Sequence, residues 1–130
     1  QIVFHGRIEH ENALRIVADA DYTAVYRLKN RMTMAGFSTK FAESISCGTP
    51  VIMTDTSEYT SYIEKGAVCI MLDVSDEEQQ RCALEYALTK SAEEIVGMKR
   101  QCRECGVFDY RNYIEIMRAF LEEVSASKEK

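Results

Sequence analysis

Two short apolar runs, Val51-Ile52-Met53 and Ala67–Leu72, constrain this chain more than any other feature. They are apolar at successive positions, the pattern of strands covered on both faces. Pro50 opens the first run and Gly66 precedes the second. Segments with helical spacing lie around and between them. Strands alternating with helices specify βαβ units and a parallel sheet. The expected fold is therefore α/β, a Rossmann-like parallel sheet of roughly four strands or slightly more, with helices on both faces.

The remaining elements follow from periodicity. Gln1–Phe4 reads as a strand ending at Gly6, and Glu11–Ala20 as a helix with Leu14, Val17 and Ala18 on one face. Tyr22–Tyr26 is a short β-rich run. Thr39–Ser46 has helical spacing, with Phe41, Ala42 and Ile45 apolar and Gly48 as its stop. A short helix is expected from Glu58 to Lys65, with Asp55 and Glu58 spaced as a capping box. Ser75, ahead of Asp76, Glu77 and Glu78, marks another helix start. Ser91 or Ala92 begins a helix that ends at Gly106, and Tyr110, Tyr113, Ile114, Met117, Leu121 and Val124 make the clearest amphipathic stripe. Residues 125–130 read as a polar tail after a domain of residues 1–124. The chain opens on Gln1 in a strand-like run, as a piece excised from a longer protein would.

Composition narrows the function. The net charge is 16 − 21 = −5 over 130 residues, and an acidic chain without a basic stripe is a poor partner for nucleic acid. No stretch approaches the ~20 continuous apolar residues of a membrane span. The cysteines, Cys47, Cys69, Cys82, Cys102 and Cys105, are odd in number and sit among apolar residues. Free buried thiols fit them better than a disulfide framework. Cys102 and Cys105 have CxxC spacing, but a zinc site needs further ligands and none lie near. No metal constellation is expected.

In parallel sheets ligands bind beyond the carboxyl ends of the strands, which directs attention to the loops after Tyr26, Met53 and Leu72. The first is unusual. Arg27, Lys29 and Arg31 cluster in an otherwise acidic chain, and Gly36-Phe37-Ser38-Thr39-Lys40 leads into a helix. Gly36 permits an unusual turn, and Ser38 and Thr39 are N-cap candidates. The first free amides of that helix, with the positive end of its dipole, form an anion site to which Lys40 and Arg27 add charge. A phosphate or pyrophosphate is a natural guest.

The run Gly36-Phe37-Ser38-Thr39-Lys40-Phe41-Ala42-Glu43-Ser44-Ile45-Ser46-Cys47-Gly48-Thr49-Pro50-Val51-Ile52 resembles the signature segment of family 4 glycosyltransferases. Val3-x-x-Gly6, Tyr62-Ile63-x-x-Gly66 and Phe108-x-Tyr110 resemble its flanks. The resemblance implies most of the C-terminal, donor-binding domain of a two-domain GT-B enzyme, with the N-terminal acceptor domain absent. It implies a retaining, metal-independent hexosyltransferase with no cofactor, its substrate a nucleoside diphosphate sugar. The acceptor is then a glycan or lipid-linked glycan, bound through the missing domain. Such an enzyme works in polysaccharide or glycolipid synthesis, in the cytoplasm at the inner face of the cell membrane, with peripheral membrane association of the parent.

By the same resemblance Glu43 binds the donor ribose, a carboxylate accepting from two hydroxyls. Gly36, Phe37, Ser38, Thr39 and Lys40 form the diphosphate- and sugar-binding loop. The family's other glutamate falls at Ala35, where this sequence has none. Its absence opens an alternative, a catalytically inactive nucleotide- or partner-binding domain. The family's phosphate-clamping cations lie upstream of this chain, so Arg27, ending a strand on the same rim, is the local candidate phosphate ligand. No residue is assigned a catalytic step.

Overall fold

The computed structural model describes residues 2–127. In chain order the elements are α1 (His10–Asp19), β1 (Thr23–Val25), α2 (Arg31–Ala35), α3 (Thr39–Ser46), β2 (Val51–Thr54), α4 (Thr60–Glu64), β3 (Cys69–Leu72), α5 (Glu77–Leu88), α6 (Ala92–Cys105), a 3-10 turn at Tyr110–Tyr113 and α7 (Ile114–Ser127). The described strands form one parallel sheet in the order β1-β2-β3. Val51 sits opposite Thr23 and Cys69, and Met53 opposite Val25 and Met71. The fold is thus a Rossmann-like α/β arrangement.

The sheet is smaller than expected because the first apolar run does not join it. Ile2, Val3 and Phe4 are coil and strongly exposed, while Gln1 lies outside the described residues. A strand needs a partner ladder for its backbone polar groups, and three apolar residues do not supply one by themselves.

β2 is buried along its length, with Ile52 half-buried. Val51 and Met53 are fully buried on the face under α3, where Phe41, Ile45, Tyr59, Ala67, Cys102 and Val107 complete the core. Ile70 and Leu72 point the other way and are buried as well, on the side of β3 where α5 contributes contacts. β2 is therefore the central strand that its continuous apolar run implies, whereas β3, whose run carries the same pattern, lies at an edge of the described sheet.

Polar ties fix the helices over this core. The Ser44 hydroxyl donates to Lys40 O at 2.7 Å and accepts from the Thr23 hydroxyl at 2.8 Å, joining α3 to β1. The buried Thr49 hydroxyl donates to Val17 O at 2.7 Å, anchoring α1 to the turn before β2. Lys99 Nζ donates to Ala18 O and Ala20 O at 2.7 and 2.6 Å, so α6 caps the carbonyl end of α1. Gly48 makes that arrangement possible. Its φ is +77°, and a Cβ there would run into the Arg103 side chain, so a side chain is excluded by both backbone and space.

The helix ends show where sequence signals held. Ser91 is the cap of α6, and a capping box that the sequence reading does not name adds to it: Glu94 N–H donates to Ser91 Oγ at 3.2 Å and Ser91 N–H to the Glu94 carboxylate at 2.8 Å. The cap of α5 is Asp76, not Ser75, because the Asp76 carboxylate accepts from Gln79 N–H at 3.0 Å. The Asp55–Glu58 box does not form; α4 begins at Thr60, behind a Tyr59 without a side-chain cap. The stripe of the last helix is real, and among the described residues it packs on the adjoining 3-10 turn while most of it stays exposed. Tyr110, Tyr113, Ile114, Met117 and Leu121 line an open groove of about 750 Å³. α7 runs on to Ser127, into the stretch read as a polar tail, whose residues 128–130 lie outside the described ones.

The cysteines are free and mostly covered. Cys102 is buried within α6, and burial pushes the Cys69 thiol up to about 12, with Cys102 nearby adding to it. Cys102 and Cys105 lie at the end of α6, and Cys105 Sγ donates to Cys102 O. Among the described residues no group of three or more His, Cys, Asp or Glu side chains is placed to hold a metal ion.

Three outcomes test this packing. Phe41→Ala removes the ring that touches Phe37, Tyr59, Tyr62 and Phe108, and urea unfolding should show a loss of ~3–5 kcal/mol. Lys90, at 2.7 Å, and the Ser91 N–H and hydroxyl hold the Glu94 carboxyl down to about 2, against an ordinary 4.5. Its stabilising contribution is complete above 4.5 and disappears as pH falls through about 2; Glu94→Gln should flatten that limb of the stability–pH curve. In the native protein a disulfide reagent should modify exposed Cys82 first, with Cys69 and Cys102 reacting only after unfolding.

Candidate ligand site at the carboxyl edge

The direction of α3 sets the site. The helix ends at Ser46, the chain turns through Gly48 and Thr49, and Pro50 delivers it to the start of β2. α3 therefore runs against the strands, and its N-terminus opens where the strands end. Ser38 is its cap and is fully buried, accepting from Phe41 N–H at 3.4 Å. Phe41 N–H and Ala42 N–H also reach Ser38 O at 3.1 and 3.3 Å. Thr39 N–H and Lys40 N–H have no hydrogen-bond partner among the described residues. Thr39 and Lys40 therefore present free first-turn amides, and Phe41 does not.

Helix electrostatics point the same way. α5 carries Glu77 and Glu78 in its first turn and α6 carries Glu93 and Glu94. α3 has no acid in its first turn and has Lys40 there instead. A cation at the positive end of a helix is unfavourable by ~0.3–1 kcal/mol, and an anion bound there would offset it. In this structure Lys40 Nζ instead meets Glu43 Oε2 at 3.1 Å, one turn along, with the Glu43 side chain about one-third exposed. Among the described residues these two groups are each other's ion-pair partners.

The loop after β1 is more ordered than its composition suggests. Arg27 N–H donates to Thr54 Oγ1 at 2.9 Å, and the same hydroxyl donates to Arg27 O at 2.8 Å. This pins the end of β1 to the end of β2. The Arg27 guanidinium has no hydrogen bond or ion pair among the described residues. Asn30 then caps α2, its Oδ1 accepting from Met32 and Thr33 N–H at 3.0 Å, while Thr33 Oγ1 accepts from Asn30 N–H at 3.0 Å. This short helix lies inside the segment read as a plain loop, and Asn30 followed by Thr33 was its signal. Gly36 is a correction of another kind. Its φ is −110° and a Cβ would meet only Met32 O at 3.6 Å, so no unusual turn requires glycine there.

Phe37 belongs to an aromatic cluster. Its ring centroid lies 5.8 Å from Phe41, 5.6 Å from Tyr59 and 5.2 Å from Tyr62. Tyr59 is buried, and its hydroxyl has no partner among the described residues. The side chain of Phe37 therefore packs on this cluster at the α3 entrance while staying partly exposed.

A second feature was only partly legible. The loops after β1, β2 and β3 meet in a cleft of about 310 Å³ lined by Lys29, Asp55, Asp73 and Gln79. Lys29 Nζ lies 3.9 Å from Asp55 Oδ2. The Ser75 hydroxyl and N–H donate to the Asp73 carboxylate at 2.6 and 2.9 Å and lower its pKa, with Lys29 assisting. Gln79 is spent on the backbone, accepting from Asp73 N–H and donating to Met71 O. None of Gly36, Phe37, Ser38, Thr39, Lys40 and Glu43 lines this cleft. Asp73 and Gln79 escaped sequence reading. Position directly after a strand was the signal for Asp73, and nothing local marked Gln79.

No family model matches the chain, and no curated protein matches it. Among solved structures it is similar to the Candida albicans trehalose-6-phosphate phosphatase N-terminal domain, with a TM-score of 0.55 and 19% sequence identity over 78% of this chain and 21% of that chain. This chain thus corresponds to about a fifth of that one, and at this identity the likeness is one of fold. It overturns the assignment to family 4 glycosyltransferases, because the neighbour is a domain of a phosphatase. The residues behind that resemblance have structural tasks here: Phe37 packs in the aromatic cluster, Gly48 makes a left-handed turn, Thr49 ties down α1 and Pro50 precedes β2.

Proposed function

We propose that this chain binds a nucleoside diphosphate sugar at the N-terminus of α3, as the donor-binding part of a larger protein that transfers the sugar. The observation that carries the reading is the uncompensated positive end of α3, with Thr39 and Lys40 N–H free at the carboxyl edge of the sheet. Orphan amides and a helix dipole favour phosphate oxygens. Lys40 supplies a charge on a long stem, and Arg27, without an acidic partner among the described residues, supplies another. On this reading Lys40 leaves Glu43 for the diphosphate, and the freed carboxylate accepts from ribose hydroxyls, an arrangement charge makes strong. The solved neighbour is named for a phosphorylated sugar, trehalose 6-phosphate, which presents the same mix of phosphate oxygens and hydroxyls.

The chain's own residues supply positioning and stabilisation of a leaving diphosphate. The acceptor, a glycan or lipid-linked glycan, would be held by other parts of the parent. Free cysteines suit a cytoplasmic protein, and a membrane-linked acceptor would bring the parent to the inner face of the cell membrane. Among the described residues no helix is long and apolar enough to cross a membrane. A net charge of −5 disfavours a nucleic-acid partner. A second reading, a binding domain without transfer, is favoured by Ala35, which offers no carboxylate beside the loop.

Two experiments test these statements. Protein-observed NMR titrations with UDP, GDP, ADP and trehalose 6-phosphate should shift the Thr39 and Lys40 amides for one diphosphate, and Glu43→Ala should weaken that binding about 10- to 100-fold, the ~1.5–3 kcal/mol of hydrogen bonds to a charged group. Unchanged affinity in the variant, or shifts confined to the Lys29–Asp73 cleft, would overturn the assignment; binding of trehalose 6-phosphate alone would replace the ligand class. Product analysis with this chain and a sugar nucleotide should show no transferred sugar, and detectable transfer would contradict the division of labour proposed.

A further inference from the structure

We draw no further inference here: the strongest candidate, the open apolar groove along the 3-10 turn and α7 formed by Tyr110, Tyr113, Ile114, Met117 and Leu121, carries nothing because nothing in the structure shows what covers it.

Discussion

The packing of α3 on β2 is the contact on which the rest of this structure depends. Phe41 and Ile45 on the helix cover Val51 and Met53 on the strand, and all four are essentially removed from solvent. Each such side chain contributes about 1.5–3 kcal/mol by burial, so the pair of elements supplies much of the small core. The turn between them leaves little freedom. Gly48 takes a left-handed conformation against Arg103, and Thr49 reaches back to α1. Helix direction, strand direction and the placement of α1 are therefore settled together.

That same contact creates the candidate site. A helix that leads into β2 through a tight turn must run against it, so its N-terminal amides open at the carboxyl edge. The burial of Ser38 and the aromatic packing of Phe37 hold the entrance in place. The chemistry at the edge is then a matter of what the sequence leaves uncompensated: free amides, a first turn without acids, and the cations Lys40 and Arg27. The neighbouring cleft beneath Lys29 is built differently. Its acids are engaged by Lys29 and by Ser75, and its amide by the backbone, so it reads as a satisfied network rather than an open set of donors.

Sequence reading did well where the signal was local. α3, β2, α6 and the Gly48 and Gly106 stops depend on residues within a few positions of one another, and these appear close to where they were expected. It did poorly where the outcome depended on distant partners. Ile2-Val3-Phe4 has the composition of a strand and lies in coil. The signature-like run from Gly36 to Ile52 suggested an enzyme family, yet Phe37, Gly48, Thr49 and Pro50 within it are occupied by packing and turn geometry.

The sequence by itself determined the parallel α/β class and the places of α3, β2 and α6, because apolar periodicity, capping residues and glycine stops act over a few residues. Only the tertiary structure decided the number of strands, the pairing of Lys40 with Glu43, the pinning of Arg27 by Thr54 and the meeting of Lys29, Asp55 and Asp73 at one cleft. The partners in that cleft stand in loops that follow different strands. They meet only because the sheet brings the ends of those strands side by side, and spacing along the chain carries no record of that neighbourhood.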